Sequence, residues 1–209
     1  MERREAVKYI SILLGGAVIG ADAFITGCKT KTGNIQEWSE DDIAYLNEIG
    51  ETILPQTSSP GAKAADVGRF MTVMVNDCYE ESDQKVFREG MNKLNDAADK
   101  KFGSRFMKLS AQQRNELLVE LDKESKAYQK KVEDFNDKQS QAESEEISKG
   151  NASYERQNMS PHYFFIMKQL TMLGYFTSKI GMTQGLRYEP VPGRYDGCIP
   201  YKKGDKAWA

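Results

Sequence analysis

Ser160-Pro161-His162-Tyr163-Phe164-Phe165-Ile166-Met167-Lys168-Gln169-Leu170-Thr171-Met172-Leu173-Gly174-Tyr175-Phe176 is the most apolar segment between residue 38 and the end of the chain. Its apolar residues neither alternate, as a half-buried strand requires, nor keep to one helical stripe. They make a helix that is apolar nearly all round. Such a helix stands at the centre of a bundle or is covered by a partner. Ser160 as N-cap and Pro161 in the first turn mark its expected start.

Upstream, helical signals recur. Ser39 precedes Glu40-Asp41-Asp42, an N-cap followed by three acids at the positive end of a helix. Ile43, Leu46, Ile49, Ile53 and Leu54 follow at helical spacing, and Pro55 stops them. Residues 55–65 read as a loop. A second helix is expected near Asp66, with Val67, Phe70, Met71, Val73 and Met74, and Met71 and Met74 read as core. A third is expected to be capped by Ser82, carries Val86, Phe87, Met91, Leu94 and Ala98, and ends at Gly103. Ser110 and Gln113 have the spacing of a capping box, and Leu117, Leu118 and Leu121 give that helix a buried start. From Asp122 to residue 158 the apolar residues thin out, so the stretch is an exposed helical extension or a loop. From Gly181 to the end, glycines and prolines forbid long regular structure, yet Tyr188, Val191, Tyr195, Ile199, Tyr201 and Trp208 are spread along the tail. These side chains need cover from the chain's own bundle or from another protein. The fold class is therefore all-α, an irregular helical bundle over residues 38–180 with an extended tail at 181–209.

The chain has 209 residues and a net charge of -2, with charges of mixed sign. That length suits one domain, and the balance argues against a nucleic-acid partner. Of three cysteines, Cys78 and Cys198 either pair or stay ordinary buried or half-buried thiols, and the second reading is preferred. The single histidine, His162, reads as packed or capping rather than catalytic. No HExxH, CxxC, P-loop or strand-linked GxGxxG occurs. No catalytic, cofactor-binding or metal residue is nominated.

The N-terminus has the three parts of an export signal. Arg3-Arg4 and Lys8 stand in a basic start, and Ala6 and Val7 replace the usual Phe and Leu of a twin-arginine motif. The apolar run from Tyr9 to Ala21 is shorter than the ~20 residues a membrane span needs. Ile25-Thr26-Gly27-Cys28 has the form of a lipobox, so Cys28 is the expected lipidation site, followed by a tether over 29–37. Acyl chains on Cys28 would anchor the protein stably, at ~0.8 kcal/mol per buried methylene.

The order of several segments resembles the gluconate 2-dehydrogenase subunit 3 family. Trp38-Ser39-Glu40-Asp41-Asp42 leads through Leu46 to Glu51-Thr52-Ile53-Leu54-Pro55, like the family's opening helix. Gly61-Ala62-Lys63-Ala64-Ala65-Asp66-Val67 and Phe70 resemble the next element. Phe102-Gly103, Phe106, Leu109-Ser110 and Gln113 follow, and then Phe164-Phe165, Leu170-Thr171 and Gly174-Tyr175-Phe176-Thr177-Ser178. Tyr188 to Cys198 resembles one branch, and 122–158 departs from the pattern.

The resemblance implies a non-catalytic small subunit of a periplasmic, membrane-associated dehydrogenase of the GMC type, acting on gluconate or another sugar. It implies FAD in a large flavoprotein partner and none in this chain, and a cytochrome c subunit that often takes the electrons. It implies export by the twin-arginine route together with the folded flavoprotein. Tyr188, Tyr195, Tyr201 and Trp208 then become candidate partner contacts. The competing readings are a free-standing periplasmic lipoprotein that binds or scaffolds, its tail packed on its own helices, and an enzyme using His162.

Overall fold

The computed structural model describes residues 37–208, apart from 152, 192, 195 and 196. Five α-helices carry the bundle: α1 Glu40–Ile53, α2 Val67–Cys78, α3 Glu81–Phe102, α4 Ala111–Ser148 and α5 Tyr163–Thr177. Short 3-10 turns lie at Ala62–Ala65 and Phe106–Lys108, and a π turn at Gly181–Gly185 follows α5. Among the described residues there is no strand, and a single parallel bridge joins Arg187 to Trp208. The all-α expectation holds.

Helix α5 is the centre. It packs against each of the other four helices. Ile166, Met167, Leu170 and Thr171 are almost wholly buried, and the Thr171 hydroxyl donates to the Met167 carbonyl at 2.8 Å, so burial leaves it satisfied. Two glycines set how close the neighbours come. A Cβ on Gly90 of α3 would overlap the Cβ and ring of Tyr163, and one on Gly174 would lie 2.6 Å from the Phe70 ring of α2.

The helix starts follow from caps. Ser39 and Asp42 form a capping box at α1, and Ser110 and Gln113 form one at α4. Gly103, at φ 67, ends α3 as expected. Two expected starts are corrected. Ser82 does not cap α3. The link from α2 is only Tyr79-Glu80, both extended, and the N–H groups of Asp83 and Gln84 bond to the Glu80 carbonyl, so the helix begins one residue before Ser82. The Gln84 side chain also donates to the Asn76 and Tyr79 carbonyls, holding the link tight. Ser160 does not cap α5 either. Ser160 and Pro161 lie outside the helix, and the cap is His162, whose Nδ1 accepts the Phe164 N–H at 3.2 Å.

The stretch from Asp122 resolves as helix. Helix α4 has 38 residues, which at 1.5 Å per residue is about 57 Å of helix. Val132 and Ser125 are buried on its inner side. Residues 153–161 return along it, with the Met159 N–H on Asn136 Oδ1 at 3.0 Å and the Arg156 guanidinium reaching Ser140 Oγ at 3.2 Å. Cys78 and Cys198 are both exposed, which corrects their reading as buried or half-buried thiols. Cys78 is the last residue of α2, and Cys198 sits in the exposed tail.

Gly90→Ala forces α3 away from Tyr163, whose Cβ is fixed to the α5 backbone and cannot swing aside. The expected loss is about 1–3 kcal/mol of stability, read as a lowered urea midpoint at unchanged slope. An unaltered midpoint would mean that the two helices do not meet this closely.

Candidate docking surface

The polar clusters of the bundle come first, because each has a structural task. Glu48 of α1 bridges Arg114 of α4 and Lys63, the latter at 2.8 Å. The hydrogen bond from Lys63, with the charge of Arg114, holds the Glu48 carboxyl below its usual range. Arg114 also donates to the Phe106 and Met107 carbonyls at 3.1 and 2.8 Å, tying α4 to the turn before it. Glu51 takes the N–H groups of Gln56 and Lys63, closing the loop after Leu54-Pro55. Asp122 joins Lys126 at 2.7 Å and Lys168 at 2.5 Å, and those two hydrogen bonds lower its carboxyl in turn.

At the opposite end of α1, Trp38 is clamped. Its indole N–H donates to Asn76 Oδ1 at 3.0 Å, and the Arg88 guanidinium lies 3.7 Å over its ring and donates to the same oxygen at 2.9 Å. Phe87 meets the indole edge-on at 6.0 Å. Such a stack adds cation–π attraction to packing. The clamp fixes the point where the chain enters the domain.

His162 is 9% exposed. Its Nδ1 accepts the helix N–H, so in the neutral ring the proton sits on Nε2, which faces Glu124 at 3.9 Å. Tyr163 and Tyr128 stack against the ring. Burial pushes its pKa down, against the pull of Glu124 and with that of Lys93. A ring held neutral as a cap is a structural group. Among the described residues no cluster of His, Cys, Asp or Glu could hold a metal ion, and no helix is long and apolar enough to cross a membrane.

What remains is exposed apolar surface. Met172 and Leu173 of α5 are 38% and 43% exposed, on an element whose other faces are core. One turn before Met172, Lys168 borders a cleft of about 290 Å³ floored by Ile53, Leu118 and Phe164. From Arg187 on, the described tail is exposed. Tyr188 is 46%, Tyr201 76% and Trp208 51% exposed. Of the residues picked out from the sequence as partner contacts, these three are exposed on the tail, whereas Arg3, Arg4, Cys28 and Tyr195 lie outside the described residues. Sequence reading did not single out Met172, Leu173 or the Trp38 clamp. The apolar run gives no clue to which side of α5 stays uncovered, and the clamp joins residues 38 and 50 positions apart.

Two measurements test these assignments. Asn76→Ala removes the acceptor shared by Trp38 and Arg88, and a loss of about 1–3 kcal/mol is expected, the cost of leaving the half-buried indole N–H without its acceptor. Faster proteolysis just before α1 should accompany it. For His162, the folded state disfavours protonation relative to the unfolded chain. Stability is therefore full above the ordinary pKa of 6.5 and falls as pH drops below it. Between about pH 7.5 and about pH 5.5 the wild type should lose more stability than His162→Asn, which keeps a cap but cannot titrate. Equal losses would take His162 out of the pH dependence.

No curated protein and no solved structure matches the chain. The profile of one family, described as Gluconate 2-dehydrogenase subunit 3, matches residues 40–193, from the first residue of α1 through the π turn and into the exposed tail. That match spans well over half of the chain, and the chain belongs to the gluconate 2-dehydrogenase subunit 3 family.

Proposed function

We propose that this chain is the non-catalytic small subunit of a membrane-associated, FAD-dependent sugar or sugar-acid dehydrogenase of the GMC type. It binds the flavoprotein subunit, stabilises it and accompanies it across the membrane on a twin-arginine signal headed by Arg3 and Arg4. Lipid on Cys28 then holds the assembly at the periplasmic side of the envelope. A cytochrome c subunit is a further partner that would take electrons from the flavin.

The family description makes the chain a subunit of a dehydrogenase. The observation that carries the finer reading is the exposure of Met172, Leu173, Tyr188, Tyr201 and Trp208. Exposed apolar groups of this kind mark sites where another surface binds, and aromatic residues are enriched at the cores of such interfaces. A free-standing lipoprotein would be expected to bury this tail on its own helices, and the described tail is exposed from Arg187 on. Among the described residues there is no strand, glycine turn and helix in succession, the unit with which a Rossmann fold cradles a dinucleotide. Flavin chemistry is accordingly assigned to the partner.

The test is capture of the full chain from its own envelope in mild detergent, tagged away from the tail. The expected result is a yellow complex with flavin absorbance and one large flavoprotein identified by mass spectrometry. A colourless monomer with no consistent partner would overturn the proposal and favour the binding or scaffold lipoprotein.

A further inference from the structure

We infer that residues 187–208 form a latched docking loop, whose exposed apolar side chains enter an acid-rimmed groove on a protein partner. This rests on the accessory-subunit reading, with the flavoprotein as that partner.

The two ends of the loop are held together. The Arg187 N–H donates to the Ala207 carbonyl at 2.8 Å, and the two segments form a parallel bridge at Arg187 and Trp208. The Arg187 guanidinium lies 4.7 Å over the Trp208 ring, and the Lys206 ammonium donates to the Gln184 carbonyl. Inside the loop, a turn at residues 202–205 is closed twice between Lys202 and Asp205, at 2.9 and 3.0 Å, with Gly204 at φ 98. A tail that merely trailed from α5 would have no need of these closures.

What the closures hold out is apolar. Tyr188, Val191, Ile199 and Tyr201 are 46–76% exposed. Fixing the loop before binding removes much of the ordering cost that a flexible tail would pay at the interface. The loop also carries a net positive charge on an acidic chain. Residues 187–208 carry five basic and three acidic side chains, whereas the whole chain has a net charge of -2. Lys202 and Lys203 directly follow Tyr201, so a groove that takes the phenol meets two ammonium groups at its edge. Acidic residues at its rim are the complement, and they also steer the encounter. An anionic membrane would attract the same charges. It is the weaker match, because a surface-lying segment presents a basic amphipathic helix, whereas the described residues of this loop are non-helical and Glu189 and Asp205 interleave with its basic side chains.

The experiment uses the full chain and the flavoprotein that co-purifies with it. Arg187→Ala and Trp208→Ala open the latch, Tyr201→Ala removes a contact, and the double change Lys202→Glu, Lys203→Glu reverses the edge charge. Each should weaken the complex by about tenfold or more, and the charge reversal should also remove most of the salt dependence. Slow amide exchange at Arg187 in the uncomplexed wild type, lost in Trp208→Ala, is expected from the latch. Rapid exchange there in the wild type, or full affinity in the latch and Tyr201 variants, overturns the inference while leaving the accessory-subunit reading intact. Binding of the tail to vesicles of anionic phospholipid in place of the flavoprotein overturns it too. Failure of the wild type to bring down any flavoprotein removes the reading on which it rests.

Discussion

A short helix with apolar side chains on almost every side is stable in water only where other elements surround it. Helix α5 meets that constraint by drawing the rest of the bundle around itself. Its inner residues touch all four other helices, and glycines at positions 90 and 174 let α3 and α2 approach until ring and backbone are in contact. The ion pairs are subsidiary. Glu48 with Arg114 and Asp122 with Lys168 lie at the margins of this core and select which helices neighbour one another. The covering is incomplete, however. Four helices and two short turns leave Met172 and Leu173 at the surface, so the element that organises the fold also supplies part of its unsatisfied surface.

The polar groups that look most chemical have been used for architecture. The single histidine spends one nitrogen on a helix N–H and packs its ring between tyrosines. The half-buried carboxylates of Glu48 and Asp122 are each bridged by two cations. Tyr45, deep in the core, donates to the Met91 carbonyl at 3.2 Å and has its ionisation suppressed by burial. A subunit that holds and presents, and leaves the reaction to another chain, is consistent with that use of its polar side chains.

Much of this was legible before any coordinates, for local reasons. Capping boxes at Ser39 and Ser110 and the glycine at 103 are short-range signals, and all three end or start helices where the residues say. The mistaken starts were also local. Ser82 and Ser160-Pro161 are plausible caps, but a two-residue link pulled one helix start forward and a histidine took the capping role at the other. The charged run from Asp122 could not be decided from composition. A buried Val132 and a returning segment with Asn136 and Ser140 as its partners favour helix there, and those are contacts at a distance. For the docking surface, the aromatics of the tail were visible in the sequence. Their latch, Arg187 with Trp208, spans 21 residues and has no local signature.

The Trp38 clamp has a mechanical consequence. Tension on the chain before Trp38 does not reach the first turn of α1 as a peeling force. It passes through the indole into Asn76 of α2 and Arg88 of α3, loading several packed elements in shear at once. A helix peeled from its end yields one hydrogen bond at a time, whereas interlocked helices sheared past one another must break many contacts together. The domain is therefore built to be pulled from its N-terminal side without unravelling.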